Sequence, residues 1–221
     1  MASEENHNDQ TEELTVSSPS NALTYAPGDS LGQYVVDDVL GAGGHGTVYA
    51  AHHPIIGKQV AIKVLHPRFR SDPRTVQRFV KEAKLINEIR HPNIIDVFAF
   101  GETTLGDQYF VMDRLPGKTL SAYLLEPVSL EFAVATLLQL CGAISAIHGA
   151  GLIHRDLKPA NIFISNESDE LKATVLDFGI AKLHVQNDEA QDELATETGT
   201  VLGTPGFIAP EQATQRAVDE R

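Results

Sequence analysis

The stretch IHRDLKPANIF, Ile153 to Phe163, decides how the rest of this sequence is interpreted. It contains a carboxylate, Asp156, and an amide, Asn161, and a second carboxylate, Asp177, follows in LDFG, Leu176 to Gly179. Oxygen ligands of this kind hold hard divalent cations, and a carboxylate beside them can orient a hydroxyl group. Each of these short patterns also arises by chance, so their interpretation depends on what precedes them.

Upstream lies GAGGHGTV, Gly41 to Val48, whose glycines let the backbone approach a phosphate because no side chain stands in the way. A plain glycine-rich hairpin turn explains the same residues equally well. A dinucleotide-binding loop fits less well, because it requires a helix after the glycines and TVYAAHH instead predicts a strand. VAIK follows and ends in Lys63. A lysine on an alternating strand is usually solvated, and only its position after the glycine loop gives it weight.

In chain order the four elements are GAGGHGTV, VAIK, IHRDLKPANIF and LDFG. Together they resemble the motifs of eukaryotic-type (Hanks-type) serine/threonine protein kinases. The segments RFVKEAKLINEIRHPNII and VLGTPGFIAPEQA resemble the bacterial members in particular, and the resemblance extends from Tyr34 to Arg221. It implies an α+β, two-lobed protein kinase fold with a β-rich small lobe and a mainly helical large lobe. The expected division is a disordered acidic tail (1–33), the small lobe (34–112), a hinge (113–118) and a partial large lobe (119–221). We expect the large lobe to be incomplete after its Ala-Pro-Glu motif.

The resemblance assigns ATP binding to a defined set of residues. Lys63 would hold the α- and β-phosphates and pair with Glu82, and the glycine loop would cover the phosphates. Met112 would be the gatekeeper behind the adenine, and Phe163 would form the floor of the adenine site. The full expected set is Leu40, Gly41, Ala42, Gly43, Gly44, His45, Gly46, Thr47, Val48, Ala61, Lys63, Met112, Asp113, Leu115 and Phe163.

The resemblance also implies how phosphoryl transfer would be catalysed. Asp156 would accept the proton of the substrate hydroxyl, and Lys158 would steady the transferred group. Magnesium would be bound by Asn161 and Asp177. Thr204 would contact the catalytic aspartate and lysine, which favours Ser/Thr over Tyr as the acceptor. Arg155 would receive a phosphate on the loop from Asp177 to Glu211, where the candidate acceptors are Thr196, Thr198 and Thr200; a solvated flexible loop is the alternative interpretation of that threonine cluster.

The implied function is transfer of the γ-phosphoryl group of ATP to Ser/Thr hydroxyls of proteins, with autophosphorylation and possible self-association of the chain. Two alternatives stay open at this point. One is a catalytically incompetent fragment that at most binds nucleotide or a partner. The other is a small-molecule kinase with the same fold, against which the segment Gly203 to Glu211 speaks because it resembles the peptide-docking part of protein kinases.

The composition restricts partners and compartment. The chain has 17 Lys and Arg against 30 Asp and Glu, a formal charge of -13, which argues against nucleic acid or an anionic membrane as the main partner. The first 30 residues contain six acidic residues and no Lys or Arg, and they have no signal-peptide pattern. The single cysteine, Cys141, cannot form an internal disulfide. We therefore expect a cytoplasmic protein, which leaves open a membrane anchor beyond residue 221.

Periodicity predicts the small-lobe elements. Strands are expected at residues 34–40, 47–53, 58–65, 94–102 and 107–113, and a helix over residues 72–90. The apolar stretch from Ala133 to Ile153 carries Thr136 and Gln139, so we expect a buried helix of a soluble domain rather than a membrane span, with Cys141 packed in it. Part of the apolar surface of this helix is expected to lie bare.

Overall fold

A computed structural model describes residues 25–167, 170–176 and 206–214. Its first part is a six-stranded antiparallel sheet of order β1-β2-β3-β4-β6-β5. The strands are β1 (Ser30–Leu31), β2 (Tyr34–Ala42), β3 (Gly46–His52), β4 (Gln59–Leu65), β5 (Val97–Glu102) and β6 (Gln108–Asp113). Five of them match the predicted strands within three residues at each end.

The start of the folded region differs from the expected boundary at residue 33. Leu31 lies on β1, pairs with Tyr34 and is fully buried. Tyr25 is also buried, packs edge-on against Tyr49 at 5.8 Å between ring centroids, and donates a hydrogen bond to Asp107 at 3.1 Å. The expected disordered tail is therefore wrong for residues 25–33, because these apolar side chains cover one face of the sheet. Residues 1–24 lie outside the described part.

Helix α1 (Pro73–Ile89) crosses the other face of the sheet. Asp72 caps it by accepting a hydrogen bond from the Arg74 backbone N–H, and Pro73 occupies the first turn, where its missing N–H costs nothing. The helix ends at Arg90, whose φ of 40° is left-handed. Its buried side includes Phe79, which stacks on Phe110 of β6 at 4.9 Å. This packing fixes the rotation of α1 and thereby the side chains that it presents.

The second part of the chain is built around α3 and a small sheet. Helix α2 (Leu120–Tyr123), helix α3 (Leu130–Gly149) and strands β7 (Lys118–Thr119), β8 (Ile162–Glu167) and β9 (Glu170–Val175) precede the short α4 (Pro210–Ala213). The sheet order is β7-β8-β9. One continuous apolar core joins α1, the inner side of the large sheet, α3 and the small sheet.

A hydrogen-bond network connects the two parts behind this core. The Asn93 amide donates to Gln139 Oε1 at 2.6 Å and to the Ala173 carbonyl at 2.8 Å. The predicted strand over residues 94–102 begins only at Val97, because Ile94 lies opposite Val175 of β9 instead of continuing β5. The Val175 N–H donates to the Asn93 carbonyl at 2.8 Å, and the Ile95 N–H donates to the Val175 carbonyl at 3.0 Å. The residues just before β5 therefore connect the two parts of the chain.

Helix α3 buries one side and exposes another. Leu140, Ala143 and Ile147 are buried, whereas Leu137 and Leu138 are 60% and 69% exposed. The expectation of a bare apolar face is therefore confirmed within the described residues, but Cys141, which was expected to pack, is exposed. By length and composition α3 is the one helix among the described residues that could span a membrane, and such a helix also occurs as a core helix of soluble proteins.

Candidate active site

The glycine-rich loop is the turn between β2 and β3. Gly41 pairs with Val48 and Ala42 with Thr47, so the loop is a hairpin followed directly by a strand, which excludes the dinucleotide-binding alternative. A Cβ on Gly46 would lie 2.3 Å from the Val64 carbonyl oxygen, so packing requires this glycine. A Cβ on Gly44 would meet nothing within 4 Å, and the same holds for Gly41. Packing against the described residues does not require these two glycines, which leaves room for a molecule outside the chain.

Lys63 lies on β4 opposite Val48 and Phe110 in the neighbouring strands. Its Nζ is 3.1 Å from Glu82 Oε1 on α1, and the two side chains are only 14% and 9% exposed. The outward, solvated interpretation of Lys63 is therefore wrong. The pair connects the sheet to α1 and holds an ammonium group beside the glycine loop.

Four of the residues expected around the adenine lie in the central core or pack against it. Ala61 and Met112 are paired across β4 and β6 and are buried, and Val48 and Leu115 pack on the same apolar cluster. Leu40 is 51% exposed on β2. Phe163 lies half-buried on β8, and Asp113 ends β6 at the surface. These positions provide an apolar wall next to the Lys63 ammonium.

The loop after α3 brings three predicted residues together. Lys158 Nζ lies 3.0 Å from Asp156 Oδ2, and the Asn161 amide nitrogen donates to the Asp156 carbonyl at 2.9 Å and to Asp156 Oδ2 at 3.3 Å. A short 3-10 turn, Pro159–Asn161, makes this closure possible. Arg155 before it has φ 57°, a left-handed conformation that a non-glycine residue adopts at a cost, which is typical of functional sites.

The donor set in this loop fits a hard divalent cation. Because the Asn161 nitrogen is held by Asp156, the amide oxygen is turned away from that contact and is available as a ligand. The Leu176 N–H donates to the Asn161 carbonyl at 2.9 Å, so the chain that leads into Asp177 passes beside Asn161. An oxygen ligand of this kind suits a hard divalent cation better than a softer metal.

Several predicted residues lie outside the described part of the chain. These are Asp177, Thr196, Thr198, Thr200 and Thr204. The described segment that follows them in the chain, residues 206–214, contains α4. The Gln212 amide on α4 donates to the Arg155 carbonyl at 3.2 Å. This contact places α4 against the loop that carries Asp156.

Two residues next to the glycine loop were not identified from the sequence. His66 Nε2 lies 2.8 Å from the Gly43 carbonyl oxygen, and the Arg68 guanidinium donates to the Gly44 carbonyl oxygen. They belong to the segment after β4 and are more than twenty positions away in sequence. The only available signal was their place three and five positions after Lys63 of VAIK, and that gives no direction for a side chain.

Comparison with known proteins identifies the class of protein that has this fold and this site. The family model of the protein kinase domain matches residues 34–221, so the chain belongs to the protein kinase family. Within that family it is a bacterial-type (Hanks-type) serine/threonine kinase domain, similar to named serine/threonine-protein kinases. Pkn1 of Myxococcus xanthus is 43% identical over 183 residues, which cover 82% of this chain and 26% of Pkn1. PknB of Corynebacterium glutamicum, named a probable kinase, is 37% identical over 86% of this chain and 29% of its own length.

A solved structure supports the two-lobed kinase fold. The kinase domain of Mycobacterium tuberculosis PknI is 27% identical, with a TM-score of 0.62 over 89% of this chain and 71% of that structure. The chain spans about a quarter to a third of the length of its curated Myxococcus relatives. The family uses ATP as the phosphoryl donor and usually a divalent metal.

Proposed function

We propose that this chain transfers the γ-phosphoryl group of ATP to serine and threonine hydroxyls of proteins, including its own. The observation that carries the proposal is the network of Asp156, Lys158 and Asn161, in which the Lys158 ammonium and the Asn161 amide nitrogen lie 3.0 Å and 3.3 Å from the same Asp156 carboxylate oxygen. The Lys63–Glu82 pair supplies a second cation on the other part of the chain.

The residues divide the reaction between them. Asp156 accepts the proton of the substrate hydroxyl while that oxygen forms a bond to the γ-phosphorus, and the bond to the β,γ-bridging oxygen breaks to release ADP. Lys158 donates hydrogen bonds to the oxygens of the phosphoryl group during its transfer, because negative charge develops there. Lys63 donates to the α- and β-phosphates. Asp156 is 14% exposed, so its interaction with Lys158 is only partly screened by water.

Asn161 and Asp177 are the proposed magnesium ligands. When bound, magnesium neutralises the phosphate charge and fixes the orientation of the phosphates. Asn161 is kept in place for this role by its two hydrogen bonds to Asp156. Thr204 would complete the acceptor site beside Asp156 and Lys158, and Arg155 would receive a phosphate on Thr196, Thr198 or Thr200, a charge-assisted contact that orders such loops.

The proposal also concerns the compartment and the partners of the enzyme. The acidic composition and the need for ATP support a cytoplasmic protein that acts on other proteins, without nucleic acid or membrane contact by this part of the chain. Self-association is proposed as the route to transfer between two copies.

The test measures magnesium-dependent transfer of labelled γ-phosphate from ATP to the chain itself and to a generic basic protein, followed by phosphoamino acid analysis. Wild type should label Ser and Thr, whereas Asp156→Asn and Lys63→Met should remove nearly all transfer. Lys172→Met removes a lysine from an exposed position on β9 and should leave transfer unchanged. Equal transfer by wild type and Asp156→Asn would refute the assignment, and no transfer by wild type would favour the catalytically incompetent alternative.

A further inference from the structure

The tip of the glycine-rich loop is attached to the segment His66–Phe69, which we call the clamp segment. His66 Nε2 donates to the Gly43 carbonyl oxygen at 2.8 Å, and the His66 backbone N–H donates to the His45 carbonyl oxygen at 2.9 Å. The His45 ring stacks on Phe69, with 5.6 Å between centroids and 27° between planes. Arg68 donates to the Gly44 carbonyl oxygen, so all three residues at the loop tip are held.

These contacts fix which way the peptide groups of the loop point. In a trans peptide unit the carbonyl oxygen and the next N–H point in opposite directions. Holding the carbonyls of Gly43 and Gly44 toward the clamp segment therefore directs the following N–H groups, of Gly44 and His45, away from it. Among the described residues no acceptor contacts the Gly44 N–H. An N–H oriented in this way is a donor for a phosphate oxygen.

The position of the clamp segment links the loop to the ion pair of the candidate site. The segment joins β4, which carries Lys63, to α1, which carries Glu82. Arg68 also lies over the Phe69 ring, 4.8 Å from the centroid, so the cation and the stacked ring are held together. The loop, Lys63 and Glu82 are thus fixed relative to one another by one short stretch of chain. In a chain of charge -13, Arg68 also adds positive charge where phosphates would approach.

We propose that His66 and Arg68 are positioning residues that hold the glycine-rich loop in the arrangement that receives the phosphates of the nucleotide. They act through the carbonyls of Gly43 and Gly44 and do not contact the transferred group. This inference rests on the proposed function, because it assumes that the loop binds nucleotide phosphates. It predicts that substitutions in the clamp segment weaken the binding of nucleotides that carry phosphates. The affinity for adenosine, which has no phosphate, should not change.

The test measures binding of adenosine and ADP with magnesium by calorimetry, and KM for ATP and for the basic protein substrate, in the 221-residue chain. Arg68→Ala changes an exposed residue and should fold normally, and it should weaken ADP binding and raise KM for ATP about threefold to tenfold, the range expected for one lost hydrogen bond. His66→Ala should act in the same direction, and His66→Gln, which keeps a donor, should restore most of the loss. Adenosine affinity and KM for the protein substrate should not change.

Arg74→Ala is the matched control, because it removes one exposed positive charge from the start of α1 with the same change in net charge. If it weakens ADP binding as much as Arg68→Ala does, overall charge explains the effect and the clamp is refuted. Equal losses for adenosine and ADP would also refute it, since they indicate general damage to the site. Wild type that binds no ATP refutes the proposed function itself, whereas wild-type ADP affinity in Arg68→Ala and His66→Ala refutes only the clamp.

Discussion

The Lys63–Glu82 pair gives the sharpest stability prediction, and its size follows from distance and burial. At 3.1 Å two unit charges attract by about 5 kcal/mol if the effective dielectric constant is about 20. Much of this is offset by the cost of taking both groups out of water. Exposed pairs retain about 0.2–1 kcal/mol, and removal of one partner from a buried pair costs about 3–5 kcal/mol. With exposures of 14% and 9%, this pair belongs near the buried limit.

The perturbation is a double-mutant cycle of Lys63→Met, Glu82→Gln and the double variant. Each single substitution removes one charge and leaves the other without this partner, so each should lower the free energy of unfolding by about 3–5 kcal/mol. The double variant removes both charges and should cost clearly less than the sum, with a coupling energy of about 1.5 kcal/mol or more. A loss of this size is a large fraction of the stability of a typical domain.

The assay is urea unfolding at neutral pH without nucleotide, followed by two independent probes so that two-state behaviour is checked. Kinase activity is measured on the same samples, and both single variants should lose it. A coupling energy below about 0.5 kcal/mol, the value for a screened surface pair, would refute the reasoning from burial. Full activity in Glu82→Gln would refute the role of the pair in placing Lys63.

Three further predictions concern the fold. Tyr25→Ala should lower the free energy of unfolding by about 3–5 kcal/mol in urea unfolding, since it empties a buried aromatic site, and an unchanged value would restore the expected tail boundary. Hydrogen bonding from Thr75 lowers the pKa of Asp72, so the stabilising effect of Asp72 is present above its ordinary pKa and lost as the pH falls through the lowered value; in urea unfolding, the stability difference from Asp72→Asn should be largest above the ordinary pKa of 3.8 and shrink as the pH falls below it. Leu140→Ala should cost about 2–5 kcal/mol and Leu138→Ala less than about 0.5 kcal/mol, and similar costs would contradict the observed rotation of α3.

The catalytic loop was predictable because its chemistry is local in sequence. Asp156, Lys158 and Asn161 fall within six residues, so one turn of chain brings them together whatever surrounds it. Most strands of the large sheet and α1 were predictable for a related reason, since alternating and helical periodicity are properties of neighbouring residues. Lys63 and Glu82 required the family resemblance, because no local pattern pairs a strand lysine with a helix glutamate.

The sequence by itself determined the class of protein, the order of its elements and the residue types of its catalytic loop. Tertiary structure alone decided that Tyr25 belongs to the fold, because its partner Asp107 lies 82 positions away. It also decided that His66 and Arg68 hold the glycine loop. The side of α3 that is buried could not be read from its sequence, because the helix is apolar on nearly all sides. The hydrophobic effect has no direction of its own, so contact with β9 selected Leu140 and Ile147 for burial and left Leu138 in water.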